Sequence, residues 1–112
     1  MPIKTEEYDQ VCVMSVEGDF TADNVAAAKK QVAKVMDERH IVDVVVDLEK
    51  VPFIDSEGLE ALLWMKVRCE GSFGQLKLAN LDENCRKILE ITRLTHRFDC
   101  QADLTTALKT MR

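Results

Sequence analysis

The sequence is short of the residues that most enzymes rely on. Its 112 residues include two histidines, four glycines, two prolines and one tryptophan. A serine nucleophile needs a histidine within hydrogen-bond reach and a third group to orient it. Only His40 and His96 are available, and Ser56 lies in D-S-E-G rather than a G-x-S-x-G elbow. Neither a G-x-x-x-x-G-K-[ST] nor a G-x-G-x-x-G loop is present to cradle phosphates. Acidic residues are plentiful, but no pair stands in an evidently apolar setting. These absences argue against catalysis and against a bound cofactor.

Other absences narrow the class further. Cys12, Cys69, Cys85 and Cys100 form no C-x-x-C pair and lack the histidine spacing of a zinc site. Ordinary packing is expected for all four, with no metal. No stretch approaches the ~20 apolar residues of a membrane span, and the first residues lack the apolar centre of a signal peptide. A cytoplasmic protein without membrane insertion is therefore expected. The formal net charge of −5 leaves no basic footprint for a nucleic acid. Lys29, Lys30 and Lys34 stand beside Asp37 and Glu38, as on a solvated helix face. A chain of this charge and size suits a protein partner.

What is present is a regular alternation of elements. Val11–Val16 reads as a strand ending at Gly18, with Ile3–Tyr8 before it as a weaker strand able to pair with it in a hairpin. Thr21 can cap a helix carrying Val25, Ala28, Val32 and Val35 and closing near His40. Ile41–Leu48 holds four valines in a near-continuous apolar run, the mark of a central parallel strand covered on both faces. Pro52 ends it, and Val51–Gly58 forms a loop that opens a helix running to about Glu70. Leu76–Asn80 is another strand. Asp82 can cap a helix with Cys85, Ile88, Leu89 and Thr92 on one face. A last strand near Phe98 leads to a helix with Leu104, Ala107, Leu108 and Met111 in register. The expected fold is one α/β domain over residues 1–112, with a mixed, mostly parallel sheet of four to five strands. Partner sites in such folds gather beyond the carboxyl ends of the strands, which singles out Gly18–Thr21 and Pro52–Gly58.

Ser56 is the residue of interest in the second loop. It opens the helix, as N-cap or within the first turn, where backbone N–H groups are unpaired. A phosphate there would meet free N–H donors and the positive end of the helix dipole, adding about −1.5 to −2 charges. Asp55 and Glu57 would oppose it. Taken locally, the same serine also fits a plain helix cap.

The order strand, Gly18-Asp19-Phe20, long helix, Val44-Val45-Val46-Asp47-Leu48, then Phe53-Ile54-Asp55-Ser56-Glu57-Gly58-Leu59 resembles the STAS family of anti-sigma-factor antagonists. Leu94 and Phe98 also match family positions. The resemblance implies that Ser56 is the phosphoacceptor of an anti-sigma factor that is also a serine protein kinase. It further implies that the unphosphorylated form binds that kinase and that a metal-dependent serine phosphatase resets the switch. Asp19, Thr21, Asp55, Ser56, Glu57, Gly58 and Trp64 are the expected partner-binding positions. The chain departs from the family at Glu57, usually a small residue, at Thr21, commonly Asp, and at Arg93, frequently Gly.

Trp64 shares a helical stripe with Glu57, Glu60, Ala61 and Arg68, opposite Leu59, Leu62 and Leu63. That places it on the more polar side, as an interface anchor or packed beneath a neighbouring element. Two rival functions use the same elements. A receiver-like phosphoacceptor at Asp47 would need an acidic pair for Mg²⁺ after the first strand, where only Asp19 stands, and a Lys where Asn80 stands. A constitutive binding module of a stress-signalling assembly or transporter complex would leave Ser56 a plain cap. A monomer is the simplest expectation for a domain that exchanges partners.

Overall fold

The computed structural model describes residues 3–111. Strands β1 (Ile3–Tyr8) and β2 (Val11–Glu17) form an antiparallel hairpin joined by Asp9 and Gln10, both at positive φ (49° and 70°). Two consecutive residues at positive φ give the turn a twist that matches the strands. Helix α1 (Ala22–Arg39) follows, then β3 (Asp43–Lys50), α2 (Ser56–Gly71), β4 (Leu76–Ala79), α3 (Glu83–Ile91), β5 (Asp99–Gln101) and α4 (Leu104–Lys109). The sheet order is β1-β2-β3-β4-β5, and every pairing after the hairpin is parallel.

The valine run explains the centre of this sheet. Pleating sends Val44, Val46 and Leu48 of β3 to one face and Val45 to the other, and all four are fully buried. The first face meets Ala28, Val32 and Met36 of α1, Leu59, Leu62 and Met65 of α2, and Cys85 and Leu89 of α3 in one core. On the second face Val11, Val13, Val45 and Ala79 pack against Ala107 of the short helix α4 and against Met111. Burial on both sides is why β3 lacks the alternation of a half-exposed strand.

Cysteine placement agrees with a packing role. Cys12, Cys69 and Cys85 are buried in the first core. Burial raises their thiols to about 11, 12 and 12, so they stay protonated. One buried charge is compensated. Lys77 on β4, 4% exposed, pairs at 2.8 Å with Asp99, its register partner on β5.

The helix faces need correction at one position. Ala61, expected on the polar stripe of α2, is fully buried, whereas Leu63 packs half-buried against the main core, on the face expected for it. Helix α2 packs against α1 as well as against the sheet. Its covered arc therefore reaches round to Ala61 and is wider than a single core-facing stripe.

Candidate functional site

The two loops singled out in the sequence are bound to each other. The amide of Gly18 donates to the Lys50 carbonyl at 2.9 Å, and that of Phe20 to the Phe53 carbonyl at 2.9 Å. The Asp55 amide returns a bond to the Phe20 carbonyl at 3.3 Å, and Phe20 and Ile54 form a parallel bridge. Phe20 and Ile54 are both buried beneath this bridge. A third element joins from α3, where Asn84 Nδ2 donates to the Pro52 carbonyl at 2.8 Å. The start of α2 is thus fixed from two sides.

Gly58 makes this approach possible. A Cβ at that position would lie 2.2 Å from the Phe20 carbonyl oxygen and 2.8 Å from Ile54 Cγ2. Only a residue without a side chain lets the first turn of α2 sit against the Phe20 backbone.

Within that turn, Asp55 and Ser56 divide the roles that the sequence left open between them. Asp55 is the N-cap, with extended backbone, and its Oδ1 accepts from the Gly58 amide at 2.8 Å. Its carbonyl accepts from the Leu59 amide at 2.9 Å. Ser56 is the first helical residue and is exposed. The reading of Ser56 as a plain cap is therefore corrected: a better acceptor one residue earlier already holds the capping position. The Ser56 hydroxyl stands free of the cap. The amides of Ser56 and Glu57 meet no backbone acceptor among the described residues, so unpaired donors and the positive helix end lie beside that hydroxyl. Glu57 is exposed, adding a negative charge to the same rim.

The remaining expected positions fall in two places. Asp19 is exposed on the adjoining loop, and its carbonyl accepts from Asn24 Nδ2 at 2.6 Å. Thr21 is the N-cap of α1, but its side chain makes no capping hydrogen bond; its carbonyl alone receives the Asn24 and Val25 amides. Trp64 lies two turns along α2. It is half-buried against the main core, with Lys29 Nζ 5.6 Å from the ring centroid and Arg68 Cζ 5.5 Å from it. Arg68 is itself tied to Asp37 of α1 at 3.2 Å. Trp64 is thus a seam residue between α1 and α2, engaged by two cations. Phe53, in the Pro52–Gly58 loop three residues before Ser56, is 43% exposed.

Residues 2–107 match the STAS domain. The chain belongs to the STAS domain family. Solved structures agree on the fold of this STAS domain. An anti-sigma factor antagonist from Mycobacterium paratuberculosis is similar at 24% identity and a TM-score of 0.85, over 98% of this chain and 92% of that one. An anti-sigma-factor antagonist (STAS) domain protein from Planctomyces limnophilus is similar at 22% identity and a TM-score of 0.85, over 97% of each chain. The Bacillus cell fate determinant SpoIIAA in its phosphorylated form is similar at 17% identity and a TM-score of 0.75, over 98% of this chain and 99% of that one.

Two further positions gain a physical reading. Asp47 Oδ1 accepts from Asn80 Nδ2 at 3.0 Å and from the Glu49 amide at 3.1 Å, so it ties the ends of β3 and β4 together. No group of three or more His, Cys, Asp or Glu side chains able to hold a metal surrounds it or occurs elsewhere among the described residues. Arg93, where the family frequently has glycine, sits at φ +61° just past α3. The Leu94 amide donates back to the Leu89 carbonyl at 2.8 Å. This closing turn favours a left-handed residue, which glycine adopts most readily.

Proposed function

We propose that this STAS domain is an anti-sigma-factor antagonist that works as a phosphorylation-controlled partner switch. Its unphosphorylated form binds an anti-sigma factor with serine kinase activity, and phosphorylation of Ser56 releases that partner. A serine phosphatase restores the binding form. The domain acts by binding and not by catalysis, in the cytoplasm, where such partners work. No helix among the described residues is long and apolar enough to cross a membrane.

The observation that carries this reading is the division of labour at the start of α2. Asp55 supplies the cap, so Ser56 is free for modification without removing a structural hydrogen bond. The loop pair around Gly58 holds it on a rigid support. A phosphate would add its charge to a rim that already carries Asp55, Glu57 and Asp19. The fold survives such a charge at a helix N-terminus. An interface covering it does not, because burying an uncompensated charge costs about 2–5 kcal/mol, or ~30- to several-thousand-fold in affinity.

Titration calorimetry with a candidate anti-sigma kinase from the same source tests this. Wild type and Ser56→Ala should bind comparably, while Ser56→Asp binds at least ~30-fold more weakly. A complex indifferent to Ser56→Asp would overturn the switch and favour a constitutive binding module.

A further inference from the structure

The sheet has two open edges, the three-residue strand β5 and the six-residue strand β1. No described element pairs with the outer side of β1. Which of its backbone groups point outward follows from the hairpin. Asp9 and Gln10 form a two-residue turn, so the closing pair, Tyr8 and Val11, exchanges hydrogen bonds. Antiparallel pairs then alternate between bonded and non-bonded. Tyr8, Glu6 and Lys4 direct their N–H and C=O groups at β2, while Ile3, Thr5 and Glu7 direct theirs away from the sheet. Such a row of unpaired groups is a template for another strand.

Charged side chains protect an edge when pairing sets like charges opposite one another. On β1 they do so in every central register but one. Two copies related by a two-fold axis bring β1 against itself antiparallel. An axis on Lys4 sets Lys4 opposite Lys4, and an axis on Glu6 sets Glu6 opposite Glu6. An axis at Ile3 or Glu7 pairs only the end of the strand, and an axis between residues sets outward groups against inward ones. An axis on Thr5 sets Lys4 of each copy opposite Glu6 of the other. The backbone agrees with this register: Thr5 meets Thr5 and Ile3 meets Glu7, all pointing outward, so each of these pairs exchanges hydrogen bonds. Lys4 and Glu6 form the non-bonded pairs, whose Cα atoms stand about 4.5 Å apart with side chains close together. Lys4 is 72% exposed and reaches only Glu6 of its own strand, at 3.8 Å; Glu6 also accepts from the Tyr8 hydroxyl at 3.2 Å. Glu7, which falls opposite Ile3, is already held by Arg39 of α1 at 2.6 Å.

We infer that β1 is a self-association edge, through which two copies join antiparallel about a two-fold axis at Thr5, with Lys4 of each paired to Glu6 of the other. The two sheets become one continuous sheet, and the arrangement is closed and self-complementary. A single strand pair buries less than a standard interface, so the dimer is weak and reversible. It uses none of the residues at the Ser56 end. The inference stands independently of the switch proposed above.

Sedimentation equilibrium at low salt, over a concentration series up to millimolar, tests it on wild type, Lys4→Glu, Glu6→Lys and the double variant. Both positions are exposed, so the fold tolerates these changes. Wild type should dimerise, and less so as salt is raised. Each single variant sets like charges opposite at both sites and should weaken dimerisation about 10-fold or more. The double variant should recover it, and an equimolar mixture of the two single variants should pair better than either alone. Amide exchange on concentrated wild type should slow at Thr5 and Glu7, whose N–H groups enter the new ladder. A wild type that stays monomeric throughout overturns the inference. So does a dimer indifferent to the charge variants, or one whose Thr5 and Glu7 amides exchange as in the monomer.

Discussion

Replacing Gly58 by alanine should destabilise the domain, although the same change in a helix interior ordinarily helps. Removing a helical glycine contributes about 1 kcal/mol of stability through backbone entropy. Here the new Cβ would lie 2.2 Å from the Phe20 carbonyl oxygen and 2.8 Å from Ile54 Cγ2. The first of these is backbone, held in the Phe20–Ile54 bridge, and cannot rotate aside. Relief requires the first turn of α2 to move off the β2–α1 loop, loosening the Asp55–Phe20 bond with it. Overpacking of this kind costs about 3 kcal/mol at the upper end of its range, so the net loss is roughly 2 kcal/mol. At this chain length each kcal/mol shifts the thermal midpoint by roughly 4 °C or more. Far-UV circular dichroism should thus show Gly58→Ala melting about 8 °C lower. Gly71 is the internal control: it closes the same helix, and a Cβ there meets nothing within 4 Å. Gly71→Ala should leave stability unchanged or raise it by up to about 1 kcal/mol. A Gly58→Ala protein as stable as wild type would refute the close approach on which the site's rigidity rests.

Three other perturbations separate the roles of individual residues. Asp55→Ala removes the capping acceptor and should cost about 1 kcal/mol in urea unfolding, while Ser56→Ala should stay within about 0.5 kcal/mol of wild type; equal losses would mean that the serine shares the cap. Arg93→Gly should stabilise by about 0.5–1 kcal/mol, because the residue is exposed at φ +61°, and a lower midpoint would contradict that conformation. Asp99 is held below the usual carboxylate range, chiefly by the hydrogen bond from Lys77 and further by one from Gln101. The folded state then binds its proton more weakly than the unfolded state, so this stabilisation is complete above about pH 4 and lost as pH falls through the folded value. Asp99→Asn should cost about 1–2 kcal/mol at neutral pH, a modest figure because Asp99 is half-exposed and screened, and should flatten the loss of stability below pH 4. An acid profile unchanged by Asp99→Asn would show that the pair contributes nothing.

Local pattern made much of the fold legible, and non-local contact made the rest illegible. The run Val44-Val45-Val46 marks a strand covered on both faces because it is short, β-branched and closed by Pro52. Asp82 was readable as a cap because it stands alone before an amphipathic stretch, and its Oδ1 does accept from the Cys85 amide at 2.8 Å. At Asp55-Ser56 two competent caps are adjacent, and only the backbone path tells which holds the position. The covered arc of α2 depends on how α1 crosses it, which no single helix records; hence Ala61 is buried as well as the expected core face. The bridge between Phe20 and Ile54 joins residues far apart in sequence, so the reason for Gly58 became visible only with both loops in place. Trp64, which local arithmetic left between anchor and packing, sits between Lys29 and Arg68 in the α1–α2 seam.

Whether Ser56 is the switch is tested most directly by phosphate mapping with peptide mass spectrometry. The purified domain is incubated with ATP, Mg²⁺ and an anti-sigma kinase from its source that has been shown to bind it, with Ser56→Ala in parallel. A single phosphate on Ser56, absent from the variant, is expected. An active, bound kinase that leaves Ser56 unmodified would contradict it.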